Sequence, residues 1–314
     1  MLTSNKSYKY KISVIVCTYN REKYIGRCVE SFLKQTGDND DWELVLVNNN
    51  STDQTHQIIL SQLKNDKSDH NVNYIIEKQQ GLSYARNRGI KESKGEYLIF
   101  IDDDAFASPD YISGIIKSLK ETPEICAFGG KIEPFLECPL PEWMSPFLYP
   151  TISILDLGDV IKSFPKSKYP VGANMGFHSE IFNEVGHFDV TLGRVGKNLI
   201  GGEEKDIYLR IKEKGYPIYY FPLMLVSHVI PETRLQLDFL KRLGIGVGIS
   251  ERLRTLNIGV LAFIKRLFIE LYKWAGTMVL AIYYYLKLQF SKGTTLLKYR
   301  WWITSGLLFK KSPQ

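Results

Sequence analysis

Gly95-Glu96-Tyr97-Leu98-Ile99-Phe100-Ile101-Asp102-Asp103-Asp104 is the stretch on which the reading of the fold turns. Tyr97 to Ile101 is a short, unbroken apolar run, as expected of a strand covered on both faces. Three acids follow at its C-terminal end. Adjacent carboxylates repel one another, and a chain accommodates them best around a cation. Hard oxygen ligands select Mg²⁺ or Mn²⁺, ions that usually share their coordination with substrate phosphates. The stretch therefore reads as a buried strand that delivers a divalent-metal site for a phosphate-bearing ligand. A solvated acidic turn before Ser108-Pro109 is the competing reading, and the flanking sequence decides between them.

Upstream, Lys11 to Tyr19 reads as a β-branched strand. Asn20-Arg21 follows, then a helix from Tyr24 to Gln35 with apolar residues at Ile25, Cys28, Val29, Phe32 and Leu33. Trp42 to Asn48 is a second strand, and Ser51-Thr52-Asp53 has the chemistry of an N-terminal cap for a helix reaching Lys64. Asn73 to Glu77 is a third strand. Gly81-Leu82-Ser83 opens another helix, through Arg86 to Ser93, and Pro109 starts a helix to Lys120. Alternating strands and helices with short connections predict a parallel sheet wrapped by helices.

Loops at the C-terminal ends of such strands form a binding crevice. Here they carry Thr18-Tyr19-Asn20-Arg21, Asn48-Asn49-Asn50-Ser51, Gln80-Gly81 and Asp102-Asp103-Asp104. Hydroxyls, amides, a cation and carboxylates converging at one mouth suit a nucleotide with a diphosphate and a metal. There is no Walker loop. Gly244-Ile245-Gly246-Val247-Gly248 follows a helix-like stretch rather than a strand, which argues against a dinucleotide fingerprint.

After Ile125 the pattern loosens. Ala127 to Ile132 reads as a strand and Glu137 to Pro150 as an irregular, Pro-rich loop. Gly172 to Phe177 is a small-residue segment before a short helix, Ser179 to Val185. Gly193 to Gly202 is Gly-rich and reads as a mobile connection to an amphipathic helix that opens with Glu203-Glu204. Acids at a helix start favour its dipole whatever the function. The glycines before them let the backbone approach a ligand, so one of the pair is a candidate to face the pocket. Pro217 to Pro222 reads as a strand followed by His228.

At 314 residues, 44% of them hydrophobic, the chain is long enough for one α/β domain plus an appendage. Cys17, Cys28, Cys126 and Cys138 show no metal-type spacing and read as reduced thiols of a cytoplasmic protein with no signal peptide. Net charge is +6 but unevenly placed: residues 241–314 hold 13 Lys and Arg against Glu251 and Glu270, an excess of +11. A mildly acidic body with a basic tail predicts an anionic partner for the tail.

Together these motifs resemble the family 2 glycosyltransferases with the GT-A fold. The resemblance covers about residues 11–230 and is carried, in order, by SVIVCTYNR (13–21), VNNNSTD (47–53), GLSYARNRGI (81–90), GEYLIFIDDD (95–104) and GGEEKDIYLRI (201–211). VGANMGFHSEIFNEVGHFD (171–189) adds a weaker sixth. The resemblance implies a Rossmann-like, mostly parallel sheet flanked by helices over residues 1–235. It also implies inverting transfer of a sugar from a nucleotide-sugar donor to an acceptor hydroxyl, with Mn²⁺ or Mg²⁺. UDP is the first expectation for the donor nucleotide, with GDP or dTDP as alternatives.

Carried over by position, Thr18, Tyr19, Asn20, Arg21 and Ser51 line the nucleotide cleft, Asn48 faces the base, and Arg86 lies near the base or diphosphate. Asp102 sits by the ribose and metal, Asp103 beside it, and Asp104 is the direct metal ligand. Asn174 belongs to the donor site, and His228 stands where related enzymes supply a late metal or phosphate contact. Glu204 falls at the family's catalytic carboxylate, with Glu203 and Asp206 as rivals. Two departures matter: Asn48 and Glu204 stand where the family often has Asp. In mechanistic terms the metal and Arg86 stabilise the leaving diphosphate, and an ionised glutamate, of ordinary pKa about 4.3, takes the acceptor's proton.

Residues 236–314 form a separate helical region. Leu261 to Phe290 is apolar, aromatic and basic, and its longest uncharged run, Trp274 to Leu286, has 13 residues. A spanning helix wants about 20. The expectation is helices lying on a membrane, with Trp274, Trp301 and Trp302 at the interface, the alternatives being a helical subdomain packed on the sheet or in a dimer, or a re-entrant or tilted hairpin. That places the protein peripherally on the inner face of the cell membrane, with a glycan or lipid-linked acceptor. Nucleic acid is not expected, because the positive charge is interleaved with long aliphatic stretches. Two alternatives remain. A sugar nucleotidyltransferase would carry a Gly-rich basic loop at the first strand. A non-enzymatic nucleotide-sugar-binding module would not require the acids.

Overall fold

The computed structural model describes residues 7–36, 41–66, 70–122, 124–165, 168–193 and 202–309. Most of the Gly-rich stretch from Gly193 to Gly202 lies outside the described residues. The chain divides into two compact units, one made of residues 1–135, 155–191 and 203–229 and the other of residues 136–154, 192–202 and 230–314.

The first unit is built on a mixed sheet. Its leading strands are β1 (Tyr10–Thr18), β2 (Trp42–Asn48), β3 (Asn71–Ile76) and β4 (Gly95–Asp102), joined by the helices α1 (Ile25–Leu33), α2 (Thr55–Asn65) and α3 (Leu82–Glu92). A short strand β5 (Ala105–Ala107) precedes α4 (Tyr111–Glu121), followed by β6 (Ala127–Leu136), β7 (Lys162–Ser163), β8 (Asn174–His178), α5 (Ile181–Val185), α6 (Glu203–Glu213) and β9 (Ile218–Ile230). The strand order is β3-β2-β1-β4-β8-β6-β9-β5, with β7 also on β9. β3, β2, β1 and β4 run parallel, whereas β8 pairs antiparallel with β4. The expected parallel sheet is therefore confined to the first four strands.

Alternation along β1 explains why the sheet is covered on both faces. Ile12, Val14 and Val16 pack with α1 and α4 through Ile25, Cys28, Phe32, Tyr111 and Ile115. Ile15 faces the other way, with Ala85 of α3 and Ile207, Tyr208 and Ile211 of α6. Burying each such side chain is worth about 1.5–3 kcal/mol, so a slip of one residue in β1 would be prohibitive. The register that results aligns Thr18 with Asn48 and Cys17 with Asp102 at the C-terminal edge of the sheet.

Two local signals were overridden, the first only in part. The Ser51-Thr52-Asp53 cap holds only through its aspartate: α2 starts at Thr55, whose backbone nitrogen donates to Asp53 Oδ1 at 3.0 Å. Those hydroxyls instead tie loops together, as described below. Pro222 reads as a strand end, but β9 continues to Ile230, because β7 pairs with it before the proline and β5 after it.

In the second unit, α7 (Leu237–Ile258), α8 (Val260–Leu286) and α9 (Phe290–Leu308) pack with a 3-10 turn over Pro146–Ile152 around Met144, Leu148, Ile152, Leu240, Tyr284 and Leu296.

Candidate active site

The C-terminal ends of β1, β2 and β4 carry the loops that make the site. Asn20 and Asn50 adopt positive φ, at 51° and 59°, a conformation that Asn tolerates better than most residues. The first loop is held by hydroxyls of the second: Ser51 Oγ accepts from the Asn20 amide nitrogen at 3.0 Å, and Thr55 Oγ1 from that of Arg21 at 2.8 Å. Asn49 anchors the third loop, accepting from the Gly81 nitrogen at 2.8 Å and donating to the Gln79 carbonyl at 2.7 Å. Sequence reasoning did not single out Asn49. Its signal would have been an amide one residue past a strand end, beside two loops.

That scaffold aims Arg21 at the acids. Its Nε lies 3.0 Å from Asp103 Oδ1 and its Nη2 3.5 Å from Asp104 Oδ2. Asp103 and Asp104 are both buried. Burial pushes the Asp103 carboxyl up to about 7, against the pull of Arg21 and with Asp104 adding to the rise. Thr18 is buried at the end of β1 and Tyr19 is half-buried beside it.

Asp102, Asp104 and His228 offer donor atoms that all lie within 4.8 Å of one another, a group that could hold a metal ion. Two carboxylates and an imidazole form a hard to borderline donor set, which fits Mn²⁺ or Mg²⁺. His228 reaches the acids because β5 and β9 pair antiparallel with Ala105 opposite His228.

On the other side of Asp102 stands Arg86, buried on α3. Its Nη1 lies 2.6 Å from Glu203 Oε1, and its Nη2 lies 3.8 Å from Asp102 Oδ1 and 3.8 Å from Glu204 Oε1. Burial works against the charge on Arg86, but Glu203, Glu204 and Asp102 outweigh it and keep the guanidinium protonated. Phe188 stacks a ring 5.4 Å from the guanidinium carbon, and Asn87 fixes Phe188 by bonds to both its backbone nitrogen and its carbonyl. Acids from two distant parts of the chain thus meet at one cation.

The three rival acids of α6 differ in their surroundings. The side chain of Glu203 is 2% exposed and tied to Arg86. Asp206 pairs with Arg210 at 2.9 Å. Glu204, with its side chain 27% exposed, is the most accessible of the three and lies 3.8 Å from Arg86. Gly172 comes unusually close: a Cβ there would lie 2.2 Å from Glu204 Oε1 and 2.7 Å from Arg86 Nη2.

Two residues expected at the donor make hydrogen bonds within the protein. Asn48 is buried, donates to Tyr74 Oη at 2.9 Å and accepts from the Ser51 nitrogen at 2.9 Å, so its amide shapes the loop. Asn174 is fully buried, accepts from Tyr111 Oη at 2.7 Å and donates to the Met224 and Lys131 carbonyls. It braces β8 beneath the site.

Comparison with known proteins adds an independent line. The family model for glycosyl transferase family 2 matches residues 13–186. A glucosyl-dolichyl phosphate glucuronosyltransferase of Haloferax volcanii is 29% identical over 251 residues, covering 78% of each chain. A dolichyl N-acetyl-alpha-D-glucosaminyl phosphate 3-beta-D-2,3-diacetamido-2,3-dideoxy-beta-D-glucuronosyltransferase of Methanococcus voltae is 26% identical over 69% of this chain and 66% of its own. Some other curated relatives are much longer, the match spanning as little as 13% of their length. Among solved structures, a mannosyltransferase from Pyrobaculum calidifontis in complex with GDP-Man and Mn²⁺ shares the fold, with a TM-score of 0.61 at 16% identity over 98% of this chain and 92% of that one.

Proposed function

This chain belongs to glycosyl transferase family 2 and is a glycosyltransferase of mixed α/β, GT-A type, and from that premise we propose that it moves a sugar, with inversion, from a nucleotide-sugar donor to an acceptor hydroxyl. The observation that carries this reading is the Arg86 guanidinium standing between Asp102 and Glu204. It puts a donor-side acid and a candidate base each 3.8 Å from one guanidinium nitrogen. Catalysis belongs to residues 1–235, and UDP is the first expectation for the donor nucleotide, with GDP or dTDP next.

Asp102, Asp104 and His228 would hold Mn²⁺ or Mg²⁺ there, which supplies positive charge against the leaving diphosphate. Arg86 adds a fixed charge on the same side and is already desolvated, so its orientation costs nothing at the moment of reaction. Arg21 occupies Asp103 and Asp104 and keeps these acids charge-balanced. Glu204 accepts the acceptor's hydroxyl proton as the new oxygen–carbon bond forms at the anomeric centre. The bond from that carbon to the phosphate oxygen breaks on the opposite face, and its electron pair leaves on the diphosphate. Such proton transfer typically contributes on the order of 10²–10⁴-fold.

The acceptor class we propose is a lipid-linked or cell-envelope glycan, supported by the dolichyl phosphate substrates in the names of two relatives. Among the described residues no helix is long and apolar enough to cross a membrane. The proposed location is the inner face of the cell membrane, with residues 236–314 on its surface. A panel of nucleotide sugars, screened for thermal stabilisation with and without Mn²⁺, tests the donor reading. Stabilisation by one nucleotide sugar that needs the metal is expected. A panel in which no member stabilises the protein would remove the donor, and with it the reaction.

A further inference from the structure

The helix α8 is packed the wrong way round for water. Its buried residues are Arg266, Glu270, Thr277, Ala281 and Tyr284. Its exposed ones include Leu261 at 83%, Ile264, Phe268, Leu271, Val279, Ile282 and Leu286 at 80%. At 100° per residue the stripe Ile264, Phe268, Leu271, Ala275, Ile282, Leu286 runs along one side, opposite the buried Arg266 and Glu270. A helix in water turns its charges out and its aliphatic side chains in.

The inner face holds a closed set of ion pairs. Arg266 Nε lies 2.8 Å from Glu251 Oε2 of α7, and its Nη1 2.8 Å from Glu270 Oε2. Arg300 of α9 reaches Glu270 Oε1 at 3.3 Å, and Thr304 Oγ1 donates to the same oxygen at 3.1 Å. Beside it, α7 and α9 cross backbone against backbone. A Cβ on Gly248 would stand 2.1 Å from the Ile303 carbonyl oxygen, and one on Gly306 2.2 Å from that of Ile245. Close approach through small residues, with polar groups satisfied between helices, is how helices associate where apolar burial supplies no drive. This accounts for the Gly244–Gly248 run, whose fit to a dinucleotide was poor.

Charge identifies what covers the outer face. Glu251 and Glu270 are the only acids in residues 241–314. Both are buried and paired with Arg266, so among the described residues of this segment every exposed charge is positive, including Lys241, Lys265, Lys273, Lys287 and Lys298. On α8 the lysines flank the aliphatic stripe without interrupting it, Lys265 standing about 90° from it, which is the pattern of a helix lying in an anionic lipid surface. An anionic lipid layer complements the lysines and dissolves the aliphatic stripe, and exposed Tyr272, Tyr283 and Trp301 suit the interfacial zone.

Resting on the membrane-surface reading proposed above, we infer that the outer face of α8 inserts into the apolar layer of an anionic membrane, with the helix lying along the surface. Attachment is then carried by Phe268, Leu271, Val279 and their neighbours, and the lysines only assist.

The test uses the full chain and a triple variant, Phe268→Glu, Leu271→Glu and Val279→Glu, in flotation with vesicles of phosphatidylglycerol mixed with phosphatidylcholine, at low and high salt. These positions are exposed, so the variant should fold, and its melting temperature and donor-induced stabilisation check that it does. Wild type is expected to float at both salt concentrations, with Trp fluorescence quenched by brominated lipid, and the variant's partitioning to fall at least about tenfold. Flotation lost at high salt, or a variant that floats like wild type, would overturn insertion. So would a wild type that ignores vesicles and forms a dimer that the variant breaks. Donor-induced stabilisation is read separately, so failure of the donor reading would leave the flotation result standing.

Discussion

His228 Nε2 lies 3.1 Å from Asp104 Oδ1, on a strand that enters the sheet long after the acids leave it. The link is made by three residues: β5 turns back after Asp104 and pairs Ala105 with His228. The Val229 nitrogen then donates to the Asp104 carbonyl at 2.9 Å, which fixes the backbone on both sides of the pair.

This pairing makes metal affinity depend on both residues. Asp104→Asn should abolish Mn²⁺ binding measured by electron paramagnetic resonance, and His228→Gln should weaken it at least about tenfold. Chelation of wild type should remove transfer activity, and added Mn²⁺ should restore it. His228→Gln binding Mn²⁺ as wild type does would take the imidazole out of the ligand set.

Glu203 and Glu204, neighbours in sequence, should fail differently. Glu204→Gln is expected to leave the donor dissociation constant near wild type and lower kcat at least about a hundredfold. Glu203→Ala leaves the buried Arg86 without its 2.6 Å partner, which should cost on the order of 3 kcal/mol in denaturant unfolding. Wild-type-like kcat for Glu204→Gln would remove it from the mechanism.

Gly172→Ala tests the position of the base without touching its chemistry. The added Cβ would meet the far ends of Glu204 and Arg86, both flexible side chains, so the carboxylate and the guanidinium must shift together while the backbone stays. A shift of about 1 Å at a catalytic group can cost roughly a hundredfold in rate. We expect a fall in kcat with an unchanged melting temperature. Unchanged kinetics would mean that neither Glu204 nor Arg86 acts from where it stands.

His178 sets an acid limit. Burial lowers its pKa from the ordinary 6.5, outweighing the raising influence of Glu96 and Glu180. The ring lies between Tyr8 and Tyr97, and its Nδ1 accepts from the Glu180 nitrogen, which the protonated ring would not do. The folded state therefore binds this proton less readily than the unfolded chain. Its contribution to stability is complete above 6.5 and is lost as pH falls below that value. Unfolding free energy should decline on the acid side of neutrality, and His178→Gln should flatten that slope. An unaltered slope would assign the decline to other groups.

Much of the donor side was legible in the chain. The run from Tyr97 to Ile101 announces a strand buried on both faces, and the acids after it can only lie at its C-terminal end. The loops after β1 and β2 reach the same edge because parallel strands end together. Other assignments depended on contacts that no local pattern encodes. Asn48 and Asn174 have the residue type of ligand contacts, yet their amides bond within the protein, to Tyr74 and Ser51 in one case and to Tyr111, Lys131 and Met224 in the other. β5 is too short to show a period, and β9 runs on through Pro222, so the position of His228 could be guessed only by resemblance.

Sequence alone determined the fold class, the acid-tipped strand and the basic, aromatic tail, because hydrophobic period and charge are properties of neighbouring residues. Tertiary structure alone decided that Arg86 holds the buried Glu203 at 2.6 Å and the more exposed Glu204 at 3.8 Å. It also decided that the tail's two acids turn inward while its aliphatic stripe turns out. Which side of a helix is buried, and which carboxylate meets a guanidinium, is set by the elements that pack against it, and those come from distant parts of the chain.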